Sequence, residues 1–465
     1  MPLAATPSSR VAQAQADVLH ALQRDLREVI APELSSDAAR STLMMVDEML
    51  GWIGVTQASG DDLAQLPIPP LEQGALSSPP YDAGSELIGD EAFAQMMAQA
   101  AAAISAAPDD RAFARAAIQA EAARLAREDA LFATSQAERA PLDTPLSPER
   151  LSAWLGNLAD FQGGSRVAAV SRVVGGFSKD TWLVDMTDGP DALRKLVLRR
   201  DLPFGPGENS VVDEAPLLAA LSAQGLPVPR PIAVERTGAV AGTPFILVPR
   251  LPGKAVFGDW DAEPTLRAAI AADVAQTMAH CHRIDAQTLG LPTIAQQDAV
   301  AAMVSLWRGK WERRRLYPSA ILEAAFAWLA ANVPPGPQPA CLVHGDVSFR
   351  NTLIEQGRLT ALLDWEFAHL GDPVEDLSYF ELVAAPVTDW PAVLQAYEAA
   401  GGPPYDPARA RFYAVWRSTR NAVTTATAWH GFVRGLYPVS KAAYQGLSLY
   451  RFFLRDVAAK LEEVL

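Results

Sequence analysis

The stretch that most constrains this 465-residue chain is residues 341–380, CLVHGDVSFRNTLIEQGRLTALLDWEFAHLGDPVEDLSYF, where apolar runs alternate with carboxylates and an amide. Cys341-Leu342-Val343 is an apolar run that delivers His344-Gly345-Asp346 to a loop, and Asn351 follows Asp346 by five residues. Thr352-Leu353-Ile354 reads as a strand, Gln356-Gly357 as a turn, and Leu359 to Leu363 as the returning strand. Such a hairpin puts Asp346, Asn351 and Asp364 at the mouths of adjoining elements, where they can converge on one point. Two carboxylates and an amide offer only hard oxygen ligands, a set that suits Mg²⁺ alongside phosphate oxygens and water. A further carboxylate off the metal can take the proton of an attacking hydroxyl.

Composition narrows the class. Apolar residues make up 49% of the chain, which supplies large cores and excludes disorder over its whole length. A net charge of −15 disfavours a nucleic-acid partner, whose phosphates demand a basic surface. Two cysteines cannot staple a chain of this size, so a reducing compartment is expected. No apolar run reaches the ~18 residues of a membrane span, and the first residues, MPLAATPSSRVAQAQADV, lack the apolar stretch of a secretory signal. The expectation is a soluble, cytoplasmic protein with no membrane partner.

The charge is unevenly spread. Residues 1–150 hold 22 acidic residues against 10 arginines and no lysine, a net of −12, which leaves −3 for the rest. Apolar positions at Val18, Leu19, Leu22, Leu26 and Ile30 recur near the helical period, and residues 91–139 are rich in alanine. This predicts an acidic all-α domain over 1–140, acting in packing or as the contact of a homodimer. A linker follows over 141–155, in which Ser147-Pro148 starts a helix. Strand patterns at Val167–Val174, Thr181–Met186, Arg194–Arg200 and 244–251, with a helix near Asp213–Gln224, predict a small strand-rich lobe over 156–252. A larger helical lobe occupies 253–465, and the fold class is α+β.

Three ordered motifs carry a resemblance: H-G-D-x-x-x-x-N at 344–351, L-D-W-E at 363–366 and G-D-P-x-x-D-L at 371–377. Together they resemble the signature of the aminoglycoside phosphotransferase-like family. That family includes choline and homoserine kinases and phosphotransferase domains related to those fused to acyl-CoA dehydrogenases. The resemblance spans roughly 160 to 440. It implies a bilobal protein-kinase-like phosphotransferase fold, here preceded by the all-α domain. It also implies transfer of the γ-phosphate of ATP or GTP, with Mg²⁺, to a hydroxyl of a small molecule. Carried over by resemblance, Asp346 accepts or orients the substrate hydroxyl, and Asn351 and Asp364 hold Mg²⁺. His344, grouped with Asp346 as a catalytic candidate, braces the loop rather than moving protons. Asp376 hydrogen-bonds the same loop. Glu366 is a second metal or substrate contact, or a plain surface carboxylate. Asp372 ahead of Pro373 fits a helix N-cap.

For the nucleotide, Gly175-Gly176-Phe177-Ser178 lies between two strands, where the family folds a loop over the phosphates. Leu196-Val197-Leu198-Arg199 resembles the kinase strand whose fourth residue is a phosphate-binding lysine, here an arginine. Val197 and Arg199 share a strand face, so Val197 would cover the adenine and Arg199 reach the phosphates, while Arg200 points the other way. Glu214 is the expected ion-pair partner of Arg199, and Val248 to Leu251 matches the hinge between lobes.

For the acceptor, Trp307, Arg308 and Trp311 belong to a basic helical stretch that would take an anionic group, or else form a solvated face over two core tryptophans. Arg417 and Arg420 lie on a later helix, where family members line the acceptor pocket. His280-Cys281-His282 invites a metal reading but better resembles a family helix ending in L-H-x-x-D. Arginine at position 199 keeps a nucleotide-binding pseudokinase open as an alternative. The other alternative is an interaction protein regulated through its N-terminal helical domain.

Overall fold

The computed structural model describes Ile118 and residues 146–161, 165–173, 178–187, 193–202, 204–205, 209–255, 263–315, 318–336, 338–433 and 440–465. The expected all-α domain and the first part of the linker therefore lie outside the described residues, Ile118 apart. The described chain falls into two compact units. One comprises residues 144–303 and 333–414, and the other includes 304–332 and 415–465.

In the first unit, helix α1 (Pro148–Leu155) begins at the Ser147-Pro148 signal, where Ser147 Oγ accepts a hydrogen bond from the Arg150 amide at 3.2 Å. Strands β1 (Arg166–Val173), β2 (Lys179–Thr187) and β3 (Leu193–Asp201) follow. Helix α2 (Val211–Ala223) leads on to β4 (Ala233–Glu235) and β5 (Phe245–Pro249). The five strands form one antiparallel sheet in the order β1-β2-β3-β5-β4. Period-2 alternation divides its faces. Trp182, Val184, Met186, Leu196, Leu198 and Phe245 pack on one side with Leu151 and Leu155 of α1. On that side the buried Asp180 accepts bonds from Trp182 Nε1 (2.8 Å), Arg172 Nε (2.7 Å) and Arg200 Nε (2.7 Å). Burial works against the charge of Asp180, but these bonds and the two guanidinium groups hold its carboxyl below the usual range. Arg200 is thus committed to the face opposite Arg199.

Helix α2 is started by a reciprocal capping box between Ser210 and Asp213, which places Glu214 in its first turn. The chain then passes to α3 (Pro264–Arg283), α4 (Gln296–Arg314) and α5 (Ala320–Ala331). Three short strands and a fourth follow, β6 (Cys341–Val343), β7 (Thr352–Glu355), β8 (Arg358–Leu362) and β9 (His369–Gly371). They pair as β6–β9 and β7–β8. The expected Gln356-Gly357 turn joins β7 to β8, with φ of 50° and 79°. Helices α6 (Pro373–Ala384), α7 (Trp390–Ala399), α8 (Pro407–Val433), α9 (Ser440–Tyr444) and α10 (Tyr450–Val464) complete the order. Ile270, Val274 and Met278 of α3 form a core with Phe380 of α6 and Tyr397 of α7.

The link after β5 is strapped to the β7–β8 hairpin. Lys254 and Ile354 exchange main-chain bonds at 3.0 Å, and Thr360 Oγ1 donates to the Pro252 carbonyl at 2.6 Å. Gly253 lies between them at φ 109°, and a Cβ there would sit 2.8–2.9 Å from Thr360 Oγ1 and the Ile354 backbone. Only glycine fits this approach.

In the second unit, α5 starts at the Ser319 cap and packs against α10. A five-residue π-helical segment (Gln445–Leu449) joins α9 to α10, and Gly446 within it lets Trp429 pack against the backbone. Among the described residues no helix is long and apolar enough to cross a membrane.

Candidate functional site

Strand β6 ends at Val343, and the turn that follows is held from below by one buried carboxylate. Asp376, in the first turn of α6, accepts hydrogen bonds from the amides of His344 (2.8 Å) and Gly345 (2.7 Å). Gly345 has φ 80°, the left-handed geometry that lets the chain turn there. His282 at the end of α3 donates Nε2–H to the same carboxylate at 2.9 Å, and its Nδ1 faces the Tyr397 hydroxyl at 2.7 Å. With Nε2 donating, Nδ1 is the acceptor and Tyr397 the donor. Burial works against the charge on Asp376, but the His282 and main-chain bonds outweigh it and hold its carboxyl below the usual range. Burial pushes the Tyr397 hydroxyl well above its ordinary value, so it stays a neutral donor.

This turn orients His344 and Asp346. The His344 ring is buried against Trp365, with ring centres 4.6 Å apart. Its Nδ1 accepts from the Asp346 amide (3.2 Å) and its Nε2 donates to the Leu363 carbonyl (2.8 Å). Both nitrogens are engaged, so His344 braces the loop and has no free lone pair with which to move a proton. The Asn351 Nδ2 group donates to Asp346 twice, to the main-chain carbonyl and to Oδ2, each at 2.8 Å. The Asn351 carbonyl accepts from the Leu363 amide at 2.7 Å. The Leu363–Asp364 link is therefore held to both His344 and Asn351, which brings Asp346, Asn351 and Asp364 together. Asp364 itself adopts φ 67° and ψ 60°, a left-handed conformation costly for a residue with a Cβ.

Arg199 of β3 meets this group from the sheet. Its Nη1 pairs with Glu214 Oε2 at 2.8 Å and its Nη2 with Asp364 Oδ1 at 2.6 Å. Burial alone would weaken the guanidinium's hold on its proton, but Glu214, then Asp364 and Glu366, reverse that and raise its pKa further. Val197 lies two residues before Arg199 on the same strand face, paired in register with the buried Val248 of β5. Leu251 follows β5 at the strapped link. Gly175, Gly176 and Phe177 lie outside the described residues. Ser178 is described, and its hydroxyl lies near enough to the Glu366 carboxyl to favour its charged form.

Glu366 is half-buried, yet its Oε2 is shut off from water and has no hydrogen-bond donor among the described residues. Burial first, and the neighbouring Asp364 second, push its carboxyl up to about 8. A plain surface carboxylate would show neither feature. Among the described residues no three acidic, histidine or cysteine side chains form a ready metal cage. The oxygens of Asp364 and Glu366 and the Asn351 Oδ1 nonetheless make an all-oxygen donor set containing an orphaned carboxylate oxygen. That fits a Mg²⁺ ion whose other ligands are phosphate and water.

Residues 169–413 match the family described as the phosphotransferase enzyme family (APH), just over half of the chain. The chain belongs to that family. Acyl-CoA dehydrogenase family member 10 of Mus musculus is 30% identical over 213 residues, 44% of this chain and 19% of that protein. Acyl-CoA dehydrogenase family member 11 of the same species is 29% identical over 242 residues, 50% of this chain and 30% of its own length. The chain thus spans less than a third of these relatives. A protein of Ralstonia eutropha JMP134, provisionally described as an aminoglycoside phosphotransferase, superposes with a TM-score of 0.51 at 20% identity, over 69% of this chain and 99% of that one. That likeness is one of fold. The family's kinase-like α+β architecture is the one expected from the sequence.

The acceptor candidates are corrected in part. Trp307 and Trp311 are buried, Trp307 edge-on to Trp416 at 6.1 Å, so they serve packing rather than presenting a face to a ligand. Arg308 pairs with Glu312 (3.1 Å) and the buried Glu323 (3.0 Å). Arg417 and Arg420 are buried within α8. The metal reading of His280-Cys281-His282 gives way to the Asp376 and Tyr397 bonds of His282 and to the Cys281 thiol facing the Leu342 carbonyl at 3.6 Å. Lys179, Asp201 and Asn209 lie outside every motif singled out in the sequence. The Lys179 ammonium pairs with Asp201 Oδ1 at 3.1 Å and bonds the Asn209 main-chain carbonyl. The Asn209 amide in turn donates to the Glu366 carbonyl. A signal was present: Lys179 opens the strand beside Arg199, and period-2 alternation puts both on one face.

Proposed function

We propose that the chain moves the γ-phosphate of ATP or GTP to a hydroxyl of a small-molecule acceptor, with Asp346 as the base. The observation that carries this reading is the Asn351 amide fixed on Asp346 Oδ2, beside an Asp364 that the Leu363 link holds in the same place. Asn351 fixes the orientation of the Asp346 carboxylate, which would take the proton from the acceptor. The acceptor oxygen bonds to phosphorus as its proton passes to Asp346, and the bond to the nucleoside diphosphate oxygen breaks. Asn351 and Asp364 would hold Mg²⁺, with Glu366 as a further oxygen. When bound, the ion neutralises phosphate charge and aligns the transferring group. The strapped link after β5 and Val197 would receive the base. The relatives' names direct the first acceptor panel to acyl-CoA thioesters that bear a hydroxyl.

Asp346→Asn keeps the shape of the loop and removes the base. It is expected to lower turnover by about 10²–10⁴-fold while nucleotide affinity stays unchanged. Undiminished turnover would refute the role. Nucleotide binding with no phosphorylated product across a broad panel would favour the pseudokinase alternative.

A further inference from the structure

The register of β2 and β3 sets Lys179 opposite Asp201, Thr181 opposite Arg199 and Leu183 opposite Val197. Side chains alternate, so Lys179 and Arg199 are both on the sheet face that meets Glu214 and Asp364, while Asp180 and Arg200 are on the other. Lys179 also stands directly after Ser178, at the end of the glycine-containing segment.

The two cations are not equivalent. Arg199 spends one Nη on each of two carboxylates, at 2.8 and 2.6 Å. Turning it towards a phosphate would strip Glu214 of its partner, and the other oxygen of Glu214, Oε1, is already buried without a donor. A guanidinium fork held at both tines is a strut. Among the described residues Lys179 has a single carboxylate partner, Asp201, and bonds the Asn209 carbonyl; its third bond, to Asn209 Oδ1, is 3.4 Å long, at the weak limit for such a contact. The ammonium can give that third N–H to an incoming phosphate oxygen, with the Asn209 amide moving aside. Lys179 is otherwise enclosed, its side chain only 4% exposed, where a charge–phosphate bond is poorly screened. Its charge also reaches Glu366, two residues from Asp364.

We propose that Lys179, rather than Arg199, is the side chain that contacts the nucleotide phosphates, and that Arg199 is a positioning residue which holds Glu214 and Asp364. This rests on the phosphotransferase reading above. Relocating the phosphate contact from β3 to the start of β2 leaves the site with a lysine's compact charge despite an arginine in the expected place.

The test is calorimetric binding of ATP with Mg²⁺, of ADP with Mg²⁺ and of adenosine to the full chain. One lost charge-assisted bond corresponds to about 10–100-fold in affinity. Lys179→Met is therefore expected to weaken ATP and ADP by that factor and leave adenosine unchanged. Asp201→Asn releases Lys179 from its carboxylate without removing its charge, and should bind ATP more tightly than the parent chain with adenosine unchanged, whereas unchanged ATP affinity would overturn the proposal. It answers the question even if Lys179→Met does not fold. Equal ATP affinity in Lys179→Met and the parent would overturn the proposal alone. So would parallel losses of ATP and adenosine in both variants, which would make Lys179 a structural strut. A parent chain that binds ATP no better than adenosine would overturn the phosphotransferase reading as well.

Discussion

Asp376→Asn tests how the catalytic loop is held. The carboxylate accepts three hydrogen bonds, from His344 N, Gly345 N and His282 Nε2, in a site closed to water. Bonds to an ionised acceptor contribute about 1.5–3 kcal/mol each and neutral ones about 0.5–1.5. The asparagine oxygen can keep the two bonds now made to Oδ2, each weakened by roughly 1 kcal/mol. Its NH₂ then faces the Gly345 amide and orphans that donor, at a further cost of about 1–3 kcal/mol. The expected loss is about 3–5 kcal/mol, or roughly 10 °C in melting temperature for a unit of this size. Differential scanning calorimetry and urea midpoints read it directly. The pH dependence adds a second check. The folded carboxyl lies below its unfolded value of ~3.9, so its contribution is complete above that value and fades as pH falls through the folded value. The gap between parent and variant should therefore narrow below about pH 4. A variant within 1 °C of the parent at pH 7, by the ~2–4 °C per kcal/mol scale, would refute the three-bond brace.

Three further outcomes follow from the same geometry. Gly253→Ala puts a Cβ against Thr360 and Ile354 at φ 109°, and should cost about 2 kcal/mol or more, read as a lower urea midpoint. Asp180→Asn leaves Arg200 without its carboxylate on the face opposite the site, and should lower stability by about 3–5 kcal/mol with nucleotide affinity retained. Asp364→Asn should abolish the extra thermal stabilisation that Mg²⁺ adds to ATP while leaving that of ATP alone, because it takes the charge from a metal oxygen while its amide oxygen can still accept from Arg199 Nη2.

What could be read from the sequence was local. The Gln356-Gly357 turn, the Asp372-Pro373 cap and the alternation of β2 and β3 are short-range signals, and each appears where its residues predict it. The opposite directions of Arg199 and Arg200 follow from the same alternation. Connections between distant segments were legible only where the family resemblance carried them, as for Arg199 with Glu214 and Asp376 with the loop at 344–345. Tyr397 lies 115 positions from His282, and nothing in its neighbourhood says that its hydroxyl meets Nδ1. Asn209 reaches Glu366 across 157 positions by a side-chain bond with no periodic signature. Trp307 and Trp311 stayed open between two readings for a different reason, since a helix stripe of tryptophan and arginine suits a ligand face and a core edge alike, and the core reading holds. Burial alone separates the two, and it is a property of the packed unit rather than of the stripe.

The central claim is phosphate transfer to a small-molecule hydroxyl with Asp346 as base. Its most direct test is mass spectrometry of a metabolite extract incubated with ATP, Mg²⁺ and either the parent chain or Asp346→Asn. The account predicts at least one metabolite that gains a phosphoryl group with the parent and not with the variant, matched by ADP release. The same product formed at the same rate by both proteins would contradict it.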